Sequence, residues 1–112
     1  MRPNVLVANL AKKPGSLHEL WVEFEFGAPG KKAAKDFTSA ERGKVKYKYC
    51  FRKAFWDKVS EMCRAGMSAN RACDKVYEAY GQRTSITAIL RQMKHDRKHG
   101  WPPMLETFII TQ

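Results

Sequence analysis

The stretch ERGKVKYKYCFRKAFWDKV, residues 41–59, interleaves aromatic and cationic side chains that together could hold a polyanion. From residue 31 to residue 58 the chain carries ten lysines and arginines but only three acidic residues. Surface lysines bind phosphates and displace the counterions that phosphates condense. A charge excess of this size is more than solubility requires, so the stretch predicts a ligand that carries phosphate groups.

A helix is the element that must position these side chains. Its apolar residues fall on one side of a helical wheel, as is typical of a helix packed against a core. This face is formed by Val45, Tyr49, Trp56, Val59 and Cys63. Arg52 interrupts the face, and its guanidinium must either pair with a carboxylate of another helix or pass the aromatic rings to reach an anion. The predicted DNA-binding residues of this helix are Lys44, Lys46, Lys48, Arg52 and Lys53.

A second basic element lies in SANRACDKVYEAYGQRTSITAILRQM, residues 68–93, which has the pattern of two helices joined by a short turn. Ser68 is typical of an N-cap, Gly81 of a helix end, and Thr84 or Ser85 of the second N-cap. The pattern therefore predicts a helix-turn-helix.

In a helix-turn-helix the first residues of the second helix lie against base edges in the major groove, while other residues contact the phosphate backbone. Small side chains at Ala69 and Ala72 predict that the two helices pack closely together. The predicted base contacts are Arg83, Ser85, Thr87 and Arg91. The predicted phosphate contacts at the end of the second helix are Lys94, Arg97 and Lys98.

The length of 112 residues predicts one domain, and a hydrophobic content of 44% is enough for a core. A capping-box pattern at Ser16 and Glu19 begins a first helix that ends at Gly27, and a second helix spans about residues 39–64. We therefore expect an all-α fold, a small helical domain of about four helices with flexible termini. Its predicted parts are an N-terminal arm at 1–15, a helical DNA-binding domain at 16–100 and a C-terminal tail at 101–112.

Composition limits the partners. Lysine and arginine number 21 against 11 aspartates and glutamates, a net charge of +10 and a pI near 9.8, which favours nucleic acid. No run of 18 apolar residues occurs, so no membrane partner is expected. Three cysteines without a CxxC pattern predict small buried thiols rather than disulfides.

Metal and cofactor binding are not expected. His95 and His99 have the i, i+4 spacing of two ligands on one helix, but no HExxH motif surrounds them. The carboxylates that a metal nuclease would need in a cluster are scattered along the chain, and a recombinase would need a dispersed Arg, His and Tyr set. The sequence thus predicts a protein that is not an enzyme.

The motif SLHELWVEFEFGAPG, followed by KVKYKYCFRKAFWDKV, resembles the C-terminal DNA-binding domain family of the fungal activators of glycolytic genes, including relatives derived from Crypton transposons. The positions that match its L-x-x-L-W-x-E-x-x-x-G element are Leu17, Leu20, Trp21, Glu23 and Gly27. Arg52 and Lys53 match its cationic pair, and the resemblance implies that they lie near DNA. The chain lacks the family's Y-G-x-x-W-R-like element, so base contacts of that element do not carry over.

These observations together predict a sequence-specific double-stranded DNA-binding module of a nuclear transcription regulator or transposon-derived protein. A homodimer or a larger protein complex is compatible with the sequence. The alternative is an RNA-binding or ribosome-associated basic helical protein, because aromatic and basic residues on one surface also suit stacking on single-stranded bases. Aromatic residues at core spacing weigh against that alternative, since a packed ring cannot stack on a base.

Overall fold

A computed structural model describes residues 8–81 and 83–106, which form an all-α fold without β-strands. Six α-helices and one 3-10 turn are present in this part of the chain. In chain order they are α1 Leu17–Glu25, a 3-10 turn Ala34–Asp36, α2 Ser39–Lys44, α3 Lys46–Arg64, α4 Ala69–Tyr80, α5 Ile86–His99 and α6 Pro103–Glu106. The predicted all-α class is confirmed.

Helices α1, α2, α4 and α5 begin at the residues that the sequence indicates. Side-chain oxygens of Ser16, Thr38, Ser68 and Ser85 each accept a hydrogen bond from the backbone N–H three residues later. The capping box expected at Ser16 is only half formed, because the Glu19 carboxylate accepts from the N–H of Gly15 at 2.9 Å. A complete capping box is found instead at the start of α2.

The helix predicted over residues 39–64 is in fact two helices, and this corrects the prediction. Val45 leaves helical geometry, with φ −122° and ψ 32°, and separates α2 from α3. Gly43 precedes the break, and glycine weakens a helix by about 1 kcal/mol relative to alanine. The break makes Lys46 and Tyr47 the first residues of a new helix.

Helix α3 is the centre of the fold. Its fully buried residues are Phe55, Trp56, Val59 and Met62. The indole Nε1 of Trp56 donates a hydrogen bond to the Leu20 carbonyl at 2.9 Å, which ties α3 to α1. Helix α5 runs alongside α3 in the same direction, because its first turn lies near Lys48 whereas Arg97 near its end bonds to Asp57.

The helix-turn-helix order of α4 and α5 is confirmed, but the two helices pack differently from the expectation. Helix α5 has its most extensive contact with α3, while α4 packs against α1, α3 and α6. Ala72 is buried in the core and Ala69 is half-buried, yet neither brings α4 and α5 into broad contact. The two helices are connected by a turn at Gly81 and by a hydrogen bond of 2.8 Å from the Tyr80 hydroxyl to Asp96.

Burial and this hydrogen bond together favour a protonated Tyr80 and an ionised Asp96. Burial, followed by the contact with Asp96, raises the pKa of Tyr80, so the phenol remains a donor. Partial burial acts to raise the pKa of Asp96, but hydrogen bonds from Tyr80, Gln92 and His95 outweigh it and lower this pKa. The lowered pKa favours the ionised form of Asp96, which accepts the hydrogen bond from Tyr80.

Both predicted flanking segments contribute to the core. Leu10 lies in the predicted arm and Leu105 in the predicted tail, and both side chains are buried. Lys58 is also buried, where its ammonium donates to the Leu105 carbonyl at 3.4 Å and lies 4.6 Å from the centre of the Trp101 ring. Residues 1–7 of the arm and 107–112 of the tail lie outside the described residues.

The three cysteines are free, and only part of the expectation of buried thiols holds. Cys73 is fully buried, and burial, followed by the nearby Asp74 and Cys63, raises the pKa of its thiol to about 12. Burial also raises the pKa of the half-buried Cys63. Cys50 is exposed, because it lies on the outer face of α3.

Candidate nucleic-acid interface

Ion pairs neutralise many of the cations that the sequence places near one another. Within residues 31–58 an acidic partner is present for Lys32, Lys35, Arg52, Lys53 and Lys58. The lysines between α2 and the first turn of α3 have no acidic partner among the described residues, and these are Lys44, Lys46 and Lys48. Arg42 and Lys31 also have no acidic partner in the described part of the chain, and Arg42 lines the same depression as Lys46. Most of the unpaired charge is therefore concentrated at one end of α3.

A groove of about 380 Å³ lies at this same end, between the N-terminal segment, α3 and α5. Its floor is apolar and is formed by Phe51, Ile86 and Leu90. Its polar lining comes from three elements and comprises Lys12, Lys13, Lys48, Arg52, Ser85 and Thr87. The first turn of α5 points its N-terminus at the groove, where free N–H groups and the helix dipole favour an anion.

Two shallower depressions adjoin the groove. The first, of about 270 Å³, shares Lys48 with the groove and is also lined by Asn9, Lys44, Lys46 and Tyr47. The second, of about 260 Å³, shares Lys46 with the first and extends to Arg42 and Lys53. No carboxylate of the described residues lines the groove or either depression. We call the lining of these three adjoining sites the cationic surface. Its lysines without an acidic partner among the described residues are Lys12, Lys13, Lys44, Lys46 and Lys48.

A row of side chains on α5 extends the cationic surface. The spacing i, i+4, i+7 and i+11 places four residues on one face of a helix. All four are exposed, and they are Thr87, Arg91, Lys94 and Lys98. The row begins at the groove with Thr87 and has no acidic residue within it. It therefore offers a second cationic track beside the groove.

Arg52 lines the groove but does not belong to this exposed set, and its predicted contact with DNA stays a prediction. Its side chain is only 5% exposed, and Nη1 lies 2.7 Å from Glu23 Oε1. Nη2 donates to the Ala11 carbonyl at 2.5 Å, while Glu23 Oε2 accepts from the Ala11 N–H at 2.7 Å. Of the two alternatives that the sequence left open, pairing with a carboxylate of another helix is the one observed.

The remaining predicted residues divide into groups. Lys53 and Arg97 both bond to Oδ2 of Asp57, at 2.8 Å and 2.7 Å, so they bridge α3 and α5 and retain one net positive charge. The Ser85 hydroxyl caps α5 by accepting from the Ala88 N–H at 3.1 Å. Arg83 is exposed in the turn before α5 and has no partner among the described residues.

Sequence reasoning missed three residues of the cationic surface. Lys12 and Lys13 were assigned to a separate arm, yet Leu10 and the bonds of Ala11 hold this segment against α1 and α3. The Lys12–Lys13 pair is evident in the sequence, but its proximity to α3 and α5 is evident only in the fold. Tyr47 lies outside the predicted core face and has no predicted role in binding, although it is exposed within the cationic surface.

Other kinds of site are not evident in the described part of the chain. No three His, Cys, Asp or Glu side chains of residues 8–81 and 83–106 lie close enough together to hold a metal ion. The rings of His95 and His99 are 4.3 Å apart and have no third potential ligand beside them in such a group. Among the described helices, none has the length and apolar character needed to cross a membrane.

Comparisons with protein-family models, with curated proteins and with solved structures give no match for this chain. The resemblance to the fungal activator family therefore remains a prediction that rests on the quoted motifs.

Proposed function

We propose that this chain is a sequence-specific module that binds duplex DNA through the cationic surface and the α5 row. The observation that carries the proposal is the uneven distribution of charge. No carboxylate of the described residues lines the groove or its two depressions, and five of the lysines there, Lys12, Lys13, Lys44, Lys46 and Lys48, have no acidic partner among the described residues. Phosphates are the ligands that such a surface attracts most strongly. A transcription regulator or transposon-derived protein in the nucleus is the setting that the family resemblance supports.

The arrangement supports two kinds of contact. Lys12 and Lys13 of the N-terminal segment and Lys48 of α3 line the groove, so they can hold phosphates of the backbone. Arg83 and Arg91 are exposed near the start of α5 without partners among the described residues, which leaves their guanidinium groups available for guanine edges. The backbone contacts would then fix the position in which α5 reads bases.

Binding to duplex DNA is expected to weaken steeply with salt. Neutralising Z phosphates gives a slope of about −0.9Z in log affinity against log salt. Lys46→Ala or Lys48→Ala should flatten the slope by about 0.9 and lower affinity roughly eightfold at about 0.1 M salt. Fluorescence anisotropy with a labelled duplex over a series of salt concentrations measures both quantities.

Arg64→Ala is the matched control for these lysine variants. Arg64 is exposed without an acidic partner among the described residues, and it lies at the other end of α3, about 27 Å from Lys46 along the helix. Its removal should change neither slope nor affinity appreciably. Equal effects of Arg64→Ala and Lys46→Ala would show attraction by net charge alone, and binding that is insensitive to salt would contradict the proposal. Tighter binding to RNA of the same sequence would favour the RNA alternative.

Base reading is expected to depend on Arg83 and Arg91. A bidentate arginine to guanine is worth about 1 to 3 kcal/mol against the wrong base, so Arg83→Ala or Arg91→Ala should relax the preferred site at one or two positions. Lys98→Ala should weaken all sequences about equally, because a phosphate contact carries no base information. Selection of bound duplexes from a random pool with each variant gives the answer. An unchanged site preference in both arginine variants would contradict base reading at this end of α5.

A further inference from the structure

Tyr47 is the one tyrosine of the chain that the described structure leaves without a contact of its own. Tyr49 packs edge-on against Trp56 with ring centres 5.2 Å apart, Tyr77 accepts a hydrogen bond from the Leu17 N–H, and Tyr80 bonds to Asp96. Tyr47 is 87% exposed, and neither its ring nor its hydroxyl has a partner among residues 8–81 and 83–106. The fold therefore gains little from this aromatic ring.

The position of Tyr47 relates it to the cationic surface. It lies in the first turn of α3 between Lys46 and Lys48, and it forms part of the wall of the depression that also contains Asn9 and Lys44. The ring thus stands among three ammonium groups with no carboxylate in the same depression. A strand of nucleic acid matches this pattern, because it presents phosphates and flat bases at short intervals.

We infer that Tyr47 stacks on an unpaired base, and that the ligand of this surface is duplex DNA with unpaired nucleotides beside the duplex; the inference rests on the proposed function. Inside a continuous duplex both faces of every base are covered by neighbouring bases, so a surface tyrosine finds a free face only at an end, a gap or a flap. Stacking on an aromatic side chain strengthens binding whatever the base, since every base has a π-face.

A protein partner is a poorer occupant of the same depression. Docking an apolar protein surface on Tyr47 would remove water from Lys44, Lys46 and Lys48 without giving their charges a partner, and unpaired buried charge is strongly unfavourable. Phosphates flanking a stacked base would instead pair with these ammonium groups. The charge around the ring therefore disfavours an apolar protein surface and favours a polyanion. Among polyanions, a nucleic acid strand also offers bases on which the ring can stack.

The test compares a blunt duplex with the same duplex extended by a short run of unpaired thymines. Tyr47→Ala should weaken binding to the extended duplex about tenfold, or about 1.4 kcal/mol, and should change binding to the blunt duplex less than about twofold. Tyr47→Phe should bind like the original protein, because stacking requires the ring and not the hydroxyl. A 2-aminopurine placed at the first unpaired position should change its emission with the original protein and with Tyr47→Phe, but not with Tyr47→Ala.

Phe26→Ala is the matched control. Phe26 is another exposed aromatic residue, 70% exposed, and it lines neither the groove nor either depression. Its removal should leave both affinities unchanged. Equal losses on blunt and extended duplexes in Tyr47→Ala, or a loss in Tyr47→Phe as large as that in Tyr47→Ala, would overturn stacking.

The two proposals fail in different ways. If the lysine variants reduce salt-dependent binding while Tyr47→Ala has no effect on the extended duplex, only the stacking inference is overturned. If neither duplex binds, or binding does not respond to salt or to Lys46→Ala, both are overturned. Because Tyr47 is exposed and makes no hydrogen bond or ring contact among the described residues, thermal unfolding of Tyr47→Ala should match that of the original protein. A match excludes misfolding as the cause of a loss.

Discussion

Trp56→Ala is expected to lower the free energy of unfolding by about 3 to 5 kcal/mol, a large part of the about 5 to 15 kcal/mol typical of a domain. The indole is fully buried in α3, and its ring centre lies 5.2 Å from those of both Phe24 and Tyr49. Alanine would leave a cavity among these rings and would remove the hydrogen bond to the Leu20 carbonyl. The substitution thus removes contacts that hold α3 against α1, because the indole bonds to Leu20 and stacks on Phe24 of α1.

Urea and thermal unfolding followed by circular dichroism measure this effect. Tyr47→Ala removes an aromatic residue from the same helix without opening a cavity, so it should change stability by less than about 0.5 kcal/mol. A Trp56→Ala protein that keeps its full stability but loses nucleic-acid affinity would contradict the structural role. In that event the ring would act as a stacking platform, and the RNA-binding alternative would gain support.

Arg52→Ala is expected to destabilise the fold by a similar amount, about 3 to 5 kcal/mol. The side chains of Arg52 and Glu23 are only 5% and 6% exposed, and their charged atoms are 2.7 Å apart. Removing the arginine alone leaves a carboxylate that is buried without its cation. It also removes the donor to the Ala11 carbonyl, so the N-terminal segment that carries Lys12 and Lys13 loses an anchor.

A double-mutant cycle separates the two charges. The variant with both Arg52→Met and Glu23→Leu should be more stable than the sum of the single substitutions predicts, because apolar residues can replace a buried ion pair with little loss whereas a lone buried charge is costly. Additive effects would indicate that the two groups do not depend on each other. Unfolding midpoints in urea for the four proteins supply the cycle.

The same variants test the role that the family resemblance implies for Arg52. If the guanidinium only holds the fold together, the double variant should bind duplex DNA with the same salt slope as the original protein. A phosphate contact by Arg52 would instead flatten the slope by about 0.9. Lys53 is the second residue of the cationic pair that matches the family. Because its side chain is exposed, Lys53→Ala should weaken DNA binding without large destabilisation of the fold.

Much of the secondary structure could be predicted because its signals are local. Ser16, Ser68 and Ser85 cap helices through the third N–H after them, and an N-cap depends only on residues within one turn. Glycines with positive φ follow the helices, as at Gly81, because a side chain there would strain the backbone. The charge excess of residues 31–58 is likewise a property of the sequence alone.

The break at Val45 was not predicted, since periodicity continued through it. The wheel of the long helix still assigned Trp56 and Val59 to the buried face correctly, because both lie in the part of α3 that other helices surround. It also left Tyr47, which is exposed, outside that face, but Val45 and Cys63, which it placed on the face, are only half-buried. A wheel describes the faces of a helix, but exposure also depends on how far along its length the neighbouring helices reach.

The sequence by itself determined that this protein is helical, basic and rich in lysine around residues 41–59. Only the tertiary structure decided which cations are neutralised, since the partner of Arg52 is 29 residues away in the sequence and that of Arg97 is 40 residues away. It also decided that Lys12, Lys48 and Thr87 line one groove. Ion pairs and grooves depend on distances between helices, whereas helix periodicity fixes only which residues share a face of one helix.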